Sequence, residues 1–348
     1  MERRVTKKVF AGGLAIGGGS PVSVQSMLCA PAHDFEANLK QAFRLKDAGC
    51  QIIRASVPDF EAVRLIEALK QVGLPIVADI HFDYKLAIEA VAAGADKIRI
   101  NPGNIGGDDR VKAVAAACTA RGVPIRIGVN SGSIENDILE KYGSPTPKAM
   151  CESALRHVGL LNKFNFDDIV ISLKSSDVTT MISAYEMLAA ECDYPLHLGV
   201  TEAGSGIEGI IKSAVGLGAL LTRGIGDTIR VSLTDDPVKE VEAGFEILRA
   251  AGLYNDGVQI ISCPTCGRTK IDLIGLSEKV KERLKGIKKP LKVAIMGCAV
   301  NGPGEAREAD IGIAGGDGEG LIFKKGKILR KVPEDRLFDE LMAEIEKL

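Results

Sequence analysis

Apolar residues in this chain fall into short β-branched runs separated by longer stretches with helical periodicity. Runs at 22–27, 52–57, 75–80, 97–101, 124–129, 169–174, 195–200 and 228–233 read as strands, and the amphipathic stretches between them, such as 35–48 and 60–72, read as helices. Gly49, Gly73, Gly94 and Gly122 each stand shortly before the next strand, which is the signature of a helix end feeding a β-run. Eight strand–helix units predict a closed parallel (β/α)8 barrel of the TIM type, with an open doubly wound sheet as the alternative. Ahead of the first unit, the Gly-rich segment 11–19 predicts a short hairpin or plug.

The repeat stops near Leu253, after a helix predicted over 236–251, and Asn255-Asp256-Gly257 reads as a linker. Residues 1–254 are therefore expected to form the barrel and residues 255–348 a smaller α+β domain, with strands at 258–261, 291–296, 309–314 and 321–323 and helices at 271–284 and 334–346. The 348 residues are 46% hydrophobic and 26% charged, enough for a large core. A formal net charge of -2, an absence of Trp and only 4% aromatics argue against a nucleic-acid partner. No signal peptide is read at the start and no apolar run reaches membrane-spanning length, so a soluble, cytoplasmic protein is expected.

In a closed barrel, chemistry gathers at the C-terminal ends of the strands. Those ends carry Arg54, Asp79 with His81, Arg99 with Asn101, Arg126 with Asn130, Ser172 with Lys174, His197 with Glu202, and Arg230 with Ser232. Four arginines inside β-branched runs would be costly unless paired or aimed at an anion, and guanidinium forks match phosphate oxygens. Taken singly, each arginine also reads as a partner in an internal salt bridge. Lys174 reads as a further phosphate contact or as a Schiff-base lysine. His81 and His197 read equally as satisfied core histidines. Glu202 is a candidate acid–base residue or a helix N-cap acid. Gly204-Ser205-Gly206-Ile207-Glu208-Gly209 matches a dinucleotide pattern, but no acidic ribose-binding residue has a clear place, so phosphate binding at a helix start is the better reading.

The second domain holds Cys263-Pro264-Thr265-Cys266 and, after a predicted strand, Cys298. The other five cysteines lack chelating spacing. Three thiolates favour zinc, an iron–sulfur cluster or copper(I), and no His lies nearby. Glu305, beyond a Gly-Pro-Gly turn, is the nearest downstream fourth ligand, and three sulfurs with one oxygen favour a cluster with one weakly held iron. A disulfide or unrelated buried thiols remain the alternative.

The segments Arg54-Ala55-Ser56-Val57-Pro58, Ala78-Asp79-Ile80-His81-Phe82, Arg99-Ile100-Asn101-Pro102-Gly103-Asn104-Ile105-Gly106, Arg126-Ile127-Gly128-Val129-Asn130-Ser131-Gly132-Ser133, His197-Leu198-Gly199-Val200-Thr201-Glu202-Ala203-Gly204 and Cys298-Ala299-Val300-Asn301-Gly302-Pro303-Gly304-Glu305 together resemble the 4-hydroxy-3-methylbut-2-enyl diphosphate synthase family, in its compact bacterial two-domain form. The resemblance runs from about Val22 to Ala314 with no departure at a motif position. It implies a [4Fe-4S] cluster held by Cys263, Cys266, Cys298 and Glu305. It also implies a cyclic diphosphate substrate, 2-C-methyl-D-erythritol 2,4-cyclodiphosphate, opened with two electrons from flavodoxin or ferredoxin. A homodimer is implied, its active site formed between the barrel of one subunit and the cluster domain of the other. On this reading Arg54, Arg99, Arg126, Lys174 and Arg230 stabilise phosphate charge, Asn130, Ser172, His197 and Ser232 line the substrate, and Glu202 or His81 protonates the leaving hydroxyl. The rivals are a barrel aldolase or lyase on a phosphorylated sugar with a structural zinc in the tail, and a non-catalytic electron carrier or RNA-binding module.

Overall fold

The computed structural model of the chain describes residues 2–101, 103–287, 289–299, 304 and 306–348. Glu305, Pro102 and the 300–303 part of the last motif lie outside these described residues. Two antiparallel strands come first, β1 (Lys8–Ala11) and β2 (Leu14–Gly17), turning at Gly12 with a φ of 56° that a side chain would strain. Val9, Ala11 and Ile16 of this hairpin pack on Ile52, Val77 and Val170. These three begin or nearly begin their strands, so the Gly-rich segment plugs the N-terminal end of the barrel.

The barrel strands are β3 (Ser23–Met27), β4 (Ile52–Ser56), β5 (Ile76–Asp79), β6 (Lys97–Ile100), β7 (Ile125–Asn130), β8 (Ile169–Lys174), β9 (His197–Leu198) and β10 (Thr228–Ile229). They form one eight-stranded parallel sheet in the order β8-β7-β6-β5-β4-β3-β10-β9, closed by a single bridge between Ile171 and Leu196. Ile and Val fill both faces because helices cover the outside and side chains fill the inside. Asp34, Asp59, Asp83, Asp177 and Asp236 each accept a backbone N–H at the start of the helix that follows, which fixes where each strand-end loop stops.

Two predicted strands are shorter than their apolar runs. The runs at 195–200 and 228–233 keep only two-residue ladders, in β9 and β10. At the β8–β9 seam a side chain replaces ladder bonds. Tyr185, fully buried on the helix Val178–Glu191, accepts the Leu173 N–H at 2.9 Å and donates to the His197 carbonyl. A helix at Asn136–Tyr142, between β7 and the helix Pro147–Asn162, was not expected from periodicity.

The chain divides into two compact units, Met1–Tyr254 and Asn255–Leu348. The second has a five-stranded sheet in sequence order: β11 (Val258–Ser262), β12 (Leu291–Met296) and β13 (Ile311–Gly315) parallel, then β14 (Glu319–Lys324) and β15 (Lys327–Pro333) antiparallel. Its core joins Val293, Ile295, Ile311 and Ile313 to Leu273 and Leu284 of the helix Leu273–Leu284 and to Leu337 and Leu341 of the helix Leu337–Ile345. Strand β15 was missed because it is a mostly exposed, Lys-rich edge whose alternation is weak. Lys325 and Gly326, both at positive φ, make the two-residue turn that pairs it with β14.

Candidate active site

Strand register decides which side chains enter the barrel, because residues directly opposite each other share a face. Ile52, Val77 and Val170 contact the plug and so face inward. Two residues further along the same strands come Arg54, Asp79 and Ser172, then Lys174. Lys97 is paired with Val77, Arg99 with Asp79, and Arg126 with both Arg99 and Val170. On the far side, Thr228 is paired with His197 and Ser23, which puts Arg230, Gln25 and Met27 on the same inner face.

Two carboxylates balance these cations in part. Asp79, 1% exposed, receives Arg54 Nη2 at 2.6 Å, Arg99 Nη1 at 3.3 Å and His81 Nε2 at 3.4 Å. Against the upward push of burial, Arg54, then His81 and Arg99, hold its carboxyl well below the usual range. Glu240, on the helix Pro237–Ala250, lies 3.7 Å from Arg230 Nε and is held by Ser26 Oγ at 3.0 Å and the Leu233 N–H at 2.9 Å. Gly128 leaves the space that the Arg99 guanidinium occupies, since a Cβ there would collide with it.

The remaining cations have no such balance. Arg126 is 1% exposed and none of its three guanidinium nitrogens has a partner among the described residues. Lys97 is fully buried with its Nζ likewise unpartnered. Burial, followed by Arg230, Arg54, Arg126 and Arg99, pushes the Lys174 ammonium well below its ordinary value. Burial, then Arg54 and Arg99, press on Arg126 too, but a guanidinium holds its proton where an ammonium gives it up. Uncompensated buried positive charge is costly in a free protein and becomes favourable once an anion with several charges enters.

Other strand-end residues separate into distinct environments. His81 is not a core histidine: its side chain is 54% exposed beside Asp79. His197 is fully buried, but neither ring nitrogen has a partner among the described residues, so it is not satisfied either. Burial, then Arg126 as the largest nearby charge, pushes its pKa well below the ordinary value. Asn130 accepts the Ser133 N–H and starts the turn after β7. Ser172 Oγ donates to the Ile127 carbonyl at 3.1 Å, and Ser232 Oγ is buried without a partner among the described residues. Glu202 is exposed with φ 52°, a conformation that a non-glycine residue adopts only under constraint. It is not the cap of the next helix, which runs from Gly206 to Leu221 with Ser205 as N-cap. In the Gly-rich loop, Gly204 and Gly206 take positive φ, and Gly209 packs where a Cβ would meet Leu233 at 2.7 Å. Lys97 and Gln25 escaped the sequence reading, although Lys97 stands two residues before Arg99 in a strand of period two.

In the second unit, β11 and β12 are parallel and in register from Val258/Leu291 to Ser262/Ile295. Cys263 and Cys298 follow the same ends of these neighbours. Cys263 Sγ accepts the Gly297 N–H at 3.2 Å. Cys266 stands in a turn in which its N–H donates to Thr269 Oγ1 at 3.2 Å and its carbonyl accepts the Thr269 N–H at 3.0 Å. The turn closes on Gly297, where a Cβ would lie 3.0 Å from the Thr269 side chain. The backbone N–H of Arg268, then its side chain, draw the exposed Cys266 thiol below its ordinary pKa. All eight cysteines are free thiols. The described residues hold no group of three His, Cys, Asp or Glu side chains already gathered around a metal. Donor chemistry nevertheless fits a thiolate-held centre: three free thiols at one sheet edge, one acidified and one receiving an N–H···S bond of the kind that tunes iron–sulfur sites.

Fold and site together define a two-part barrel protein: a (β/α)8 barrel with a cation-lined mouth followed by a thiol-bearing α+β unit. The profile of the GcpE TIM-barrel domain matches residues 6–245 and that of the GcpE protein C-terminal domain matches residues 259–347, and the chain belongs to the GcpE family. It is 59% identical over 347 residues to the 4-hydroxy-3-methylbut-2-en-1-yl diphosphate synthase (flavodoxin) of Caldanaerobacter subterraneus subsp. tengcongensis, covering 99% of this chain and 98% of that one. It is 57% identical over 349 residues to the protein of the same name from Clostridium acetobutylicum, covering 100% of each. Among solved structures, an N-acetylneuraminic acid synthetase from Leptospira borgpetersenii aligns with a TM-score of 0.54 at 14% identity, over 82% of this chain and 99% of that one. The Yersinia pestis dihydropteroate synthase aligns at 0.50 and 17%, over 70% and 98%. These two likenesses concern the fold. The sequence likeness does not favour the aldolase reading. No helix among the described residues is long and apolar enough to cross a membrane.

Proposed function

We propose that this chain catalyses the reductive ring opening and dehydration of 2-C-methyl-D-erythritol 2,4-cyclodiphosphate to (E)-4-hydroxy-3-methylbut-2-enyl diphosphate, in the methylerythritol phosphate route to isoprenoid precursors, with flavodoxin as electron donor. The observation that carries the reading is Arg126, a buried guanidinium with every nitrogen unpartnered among the described residues and with the other strand-end cations around it. Full-length identity to proteins named for this reaction supports the choice of anion.

The reaction consumes two electrons and two protons, breaks one C–O bond to phosphate and releases the hydroxyl as water. Arg54, Arg99, Arg126, Lys174 and Arg230 bind the diphosphate and oppose the charge that develops on it as the ring opens. Asp79 orients Arg54 and Arg99 before the anion arrives, so little reorganisation is left for the transition state. Asn130, Ser172, His197 and Ser232 supply hydrogen bonds that orient the substrate. Glu202 or His81 holds the proton for the departing hydroxyl; both stand outside the buried ring, where a proton exchanges with solvent. Cys263, Cys266, Cys298 and Glu305 would hold a [4Fe-4S] cluster, which would supply the electrons when bound. We also propose that the chain works as a homodimer. Ile207, Ile211 and Val215 support this: they form an exposed apolar stripe at one-turn spacing on the helix Gly206–Leu221.

Anaerobic reconstitution with iron and sulfide, reduction by flavodoxin and phosphorus NMR of the added cyclodiphosphate test the reading. Conversion to a linear diphosphate is expected. Unchanged substrate with iron-replete, reduced protein would overturn it, as would a borohydride-trapped adduct at Lys174.

A further inference from the structure

We propose that Lys97 is a second tier of the anion site: out of reach of the substrate, it takes a proton from solvent when a diphosphate binds above it and so joins the charge that holds the anion. The inference rests on the reading of the barrel mouth as a diphosphate site.

Its basis is position. Lys97 is the first residue of β6, paired with Val77 of β5 at the level where Val77 packs on the hairpin plug. Arg99, two residues on, faces the same way nearer the mouth. Lys97 is 0% exposed, and its Nζ has no partner among the described residues. Around the barrel, the charged or titratable groups that face this interior are Arg54 on β4, Asp79 on β5, Arg99 on β6, Arg126 on β7, Lys174 on β8, His197 on β9 and Arg230 on β10. From the helices come Tyr185 and Glu240. Strand β3 contributes uncharged Gln25, and the plug contributes Val9, Ala11 and Ile16. Every carboxylate within this set is committed elsewhere: Asp79 to Arg54, Arg99 and His81, and Glu240 to Ser26, Leu233 and Arg230. Asp96, next in sequence to Lys97, pairs with Lys70 at 2.6 Å.

An ammonium placed there in the free protein is out of reach of bulk solvent and has no counter-charge among the described residues. The buried, unpartnered Nζ therefore favours the neutral amine in the free protein, and burial, then Arg126 and Arg54, push its pKa in the same direction. A diphosphate seated among Arg54, Arg99, Lys174 and Arg230 reverses the sign of the local potential, and the amine then gains a proton from buffer with no covalent change. The same linkage fixes the sign for folding. Unfolded Lys97 binds a proton that the folded residue does not, so its contribution makes the free protein more stable as pH rises toward the unfolded lysine value.

Calorimetry on the unreduced holoprotein tests this without turnover. The cyclic diphosphate carries one strongly acidic hydroxyl on each phosphorus, so protons taken up near neutral pH belong to the protein. Titrations are run in HEPES and in Tris, whose ionisation enthalpies differ and neither of which carries a phosphate that would compete for the site. The parent should show net proton uptake, and Lys97→Met and Lys97→Gln should each lower it by about one proton per ligand bound. Both variants should also flatten the decline of affinity with rising pH. Equal enthalpies in the two buffers for the parent, or uptake in both variants equal to the parent's, would overturn the proposal. Failure of the parent to bind the cyclodiphosphate at all would instead overturn the diphosphate reading on which it stands.

Discussion

The barrel mouth and the cysteine turn hold their polar groups in opposite ways. In the barrel, strand register places each cation, and Arg54, Asp79, Arg99 and Arg126 are nearly or wholly buried before any ligand arrives. Asp79 binds two of the arginines in advance. The cysteine turn is partly open: Cys266 is exposed, Cys263 and Cys298 are half-buried, and a few hydrogen bonds to Gly297 and Thr269 shape it. One region has its cations fixed by its own fold. The other offers donors at a sheet edge and is suited to being completed by what it binds.

That contrast is broken most severely at the cysteines. Cys263→Ser, Cys266→Ser and Cys298→Ser should each abolish iron binding and turnover while the thermal transition of the barrel stays where it was. Anaerobic iron analysis beside calorimetric melting separates the two, and full iron content in any of the three variants would remove that cysteine from the ligand set.

Asp79 is the point at which the barrel should fail by its own chemistry. Asp79→Asn leaves Arg54 and Arg99 buried without a counter-charge and should cost about 3–5 kcal/mol of stability in urea unfolding. The pH dependence has a definite sign. The folded carboxyl lies below its unfolded value, so its stabilisation is fully present above an unfolded pKa of about 3.9 and is lost as pH falls toward the folded one. Parent and variant should therefore converge in stability in acid. A constant gap across that range would mean that Asp79 acts through packing.

A smaller effect is expected at the barrel seam. Tyr185→Phe removes a hydroxyl that serves both β8 and β9 and should cost about 1–3 kcal/mol, because the Leu173 N–H is left buried without an acceptor. Hydrogen exchange should show the loss confined to β8 and β9. Faster exchange throughout the barrel would mean that the seam is no local feature.

The barrel was legible because eight β-branched runs and their helix-ending glycines repeat one local pattern, and Arg54, Arg99, Arg126 and Arg230 stood out as charges inside such runs. Register was not legible. It distinguishes Arg126, which is unpartnered among the described residues, from Arg54 and Arg99, which share Asp79, although the three look alike in sequence. Lys97 was overlooked because a lysine opening a strand reads as a solvated end, whereas here the hairpin seals that end. His81 and His197 were indistinguishable as isolated histidines and differ through burial and through the Asp79 carboxylate beside His81. In the second unit, Cys-Pro-Thr-Cys announced a donor pair, but only the parallel pairing of β11 with β12 brings Cys298 to the same edge.

The central claim is that the barrel binds the diphosphate by itself and the cysteines serve the electrons. Calorimetric titration of the cyclodiphosphate into two proteins, iron-replete Arg126→Ala and iron-free Cys298→Ser, tests it most directly. The account predicts that Arg126→Ala loses about 2–4 kcal/mol of binding while keeping its iron, and that Cys298→Ser keeps most of the parent's affinity without any. Parent-like binding by Arg126→Ala together with loss of binding by Cys298→Ser would contradict it.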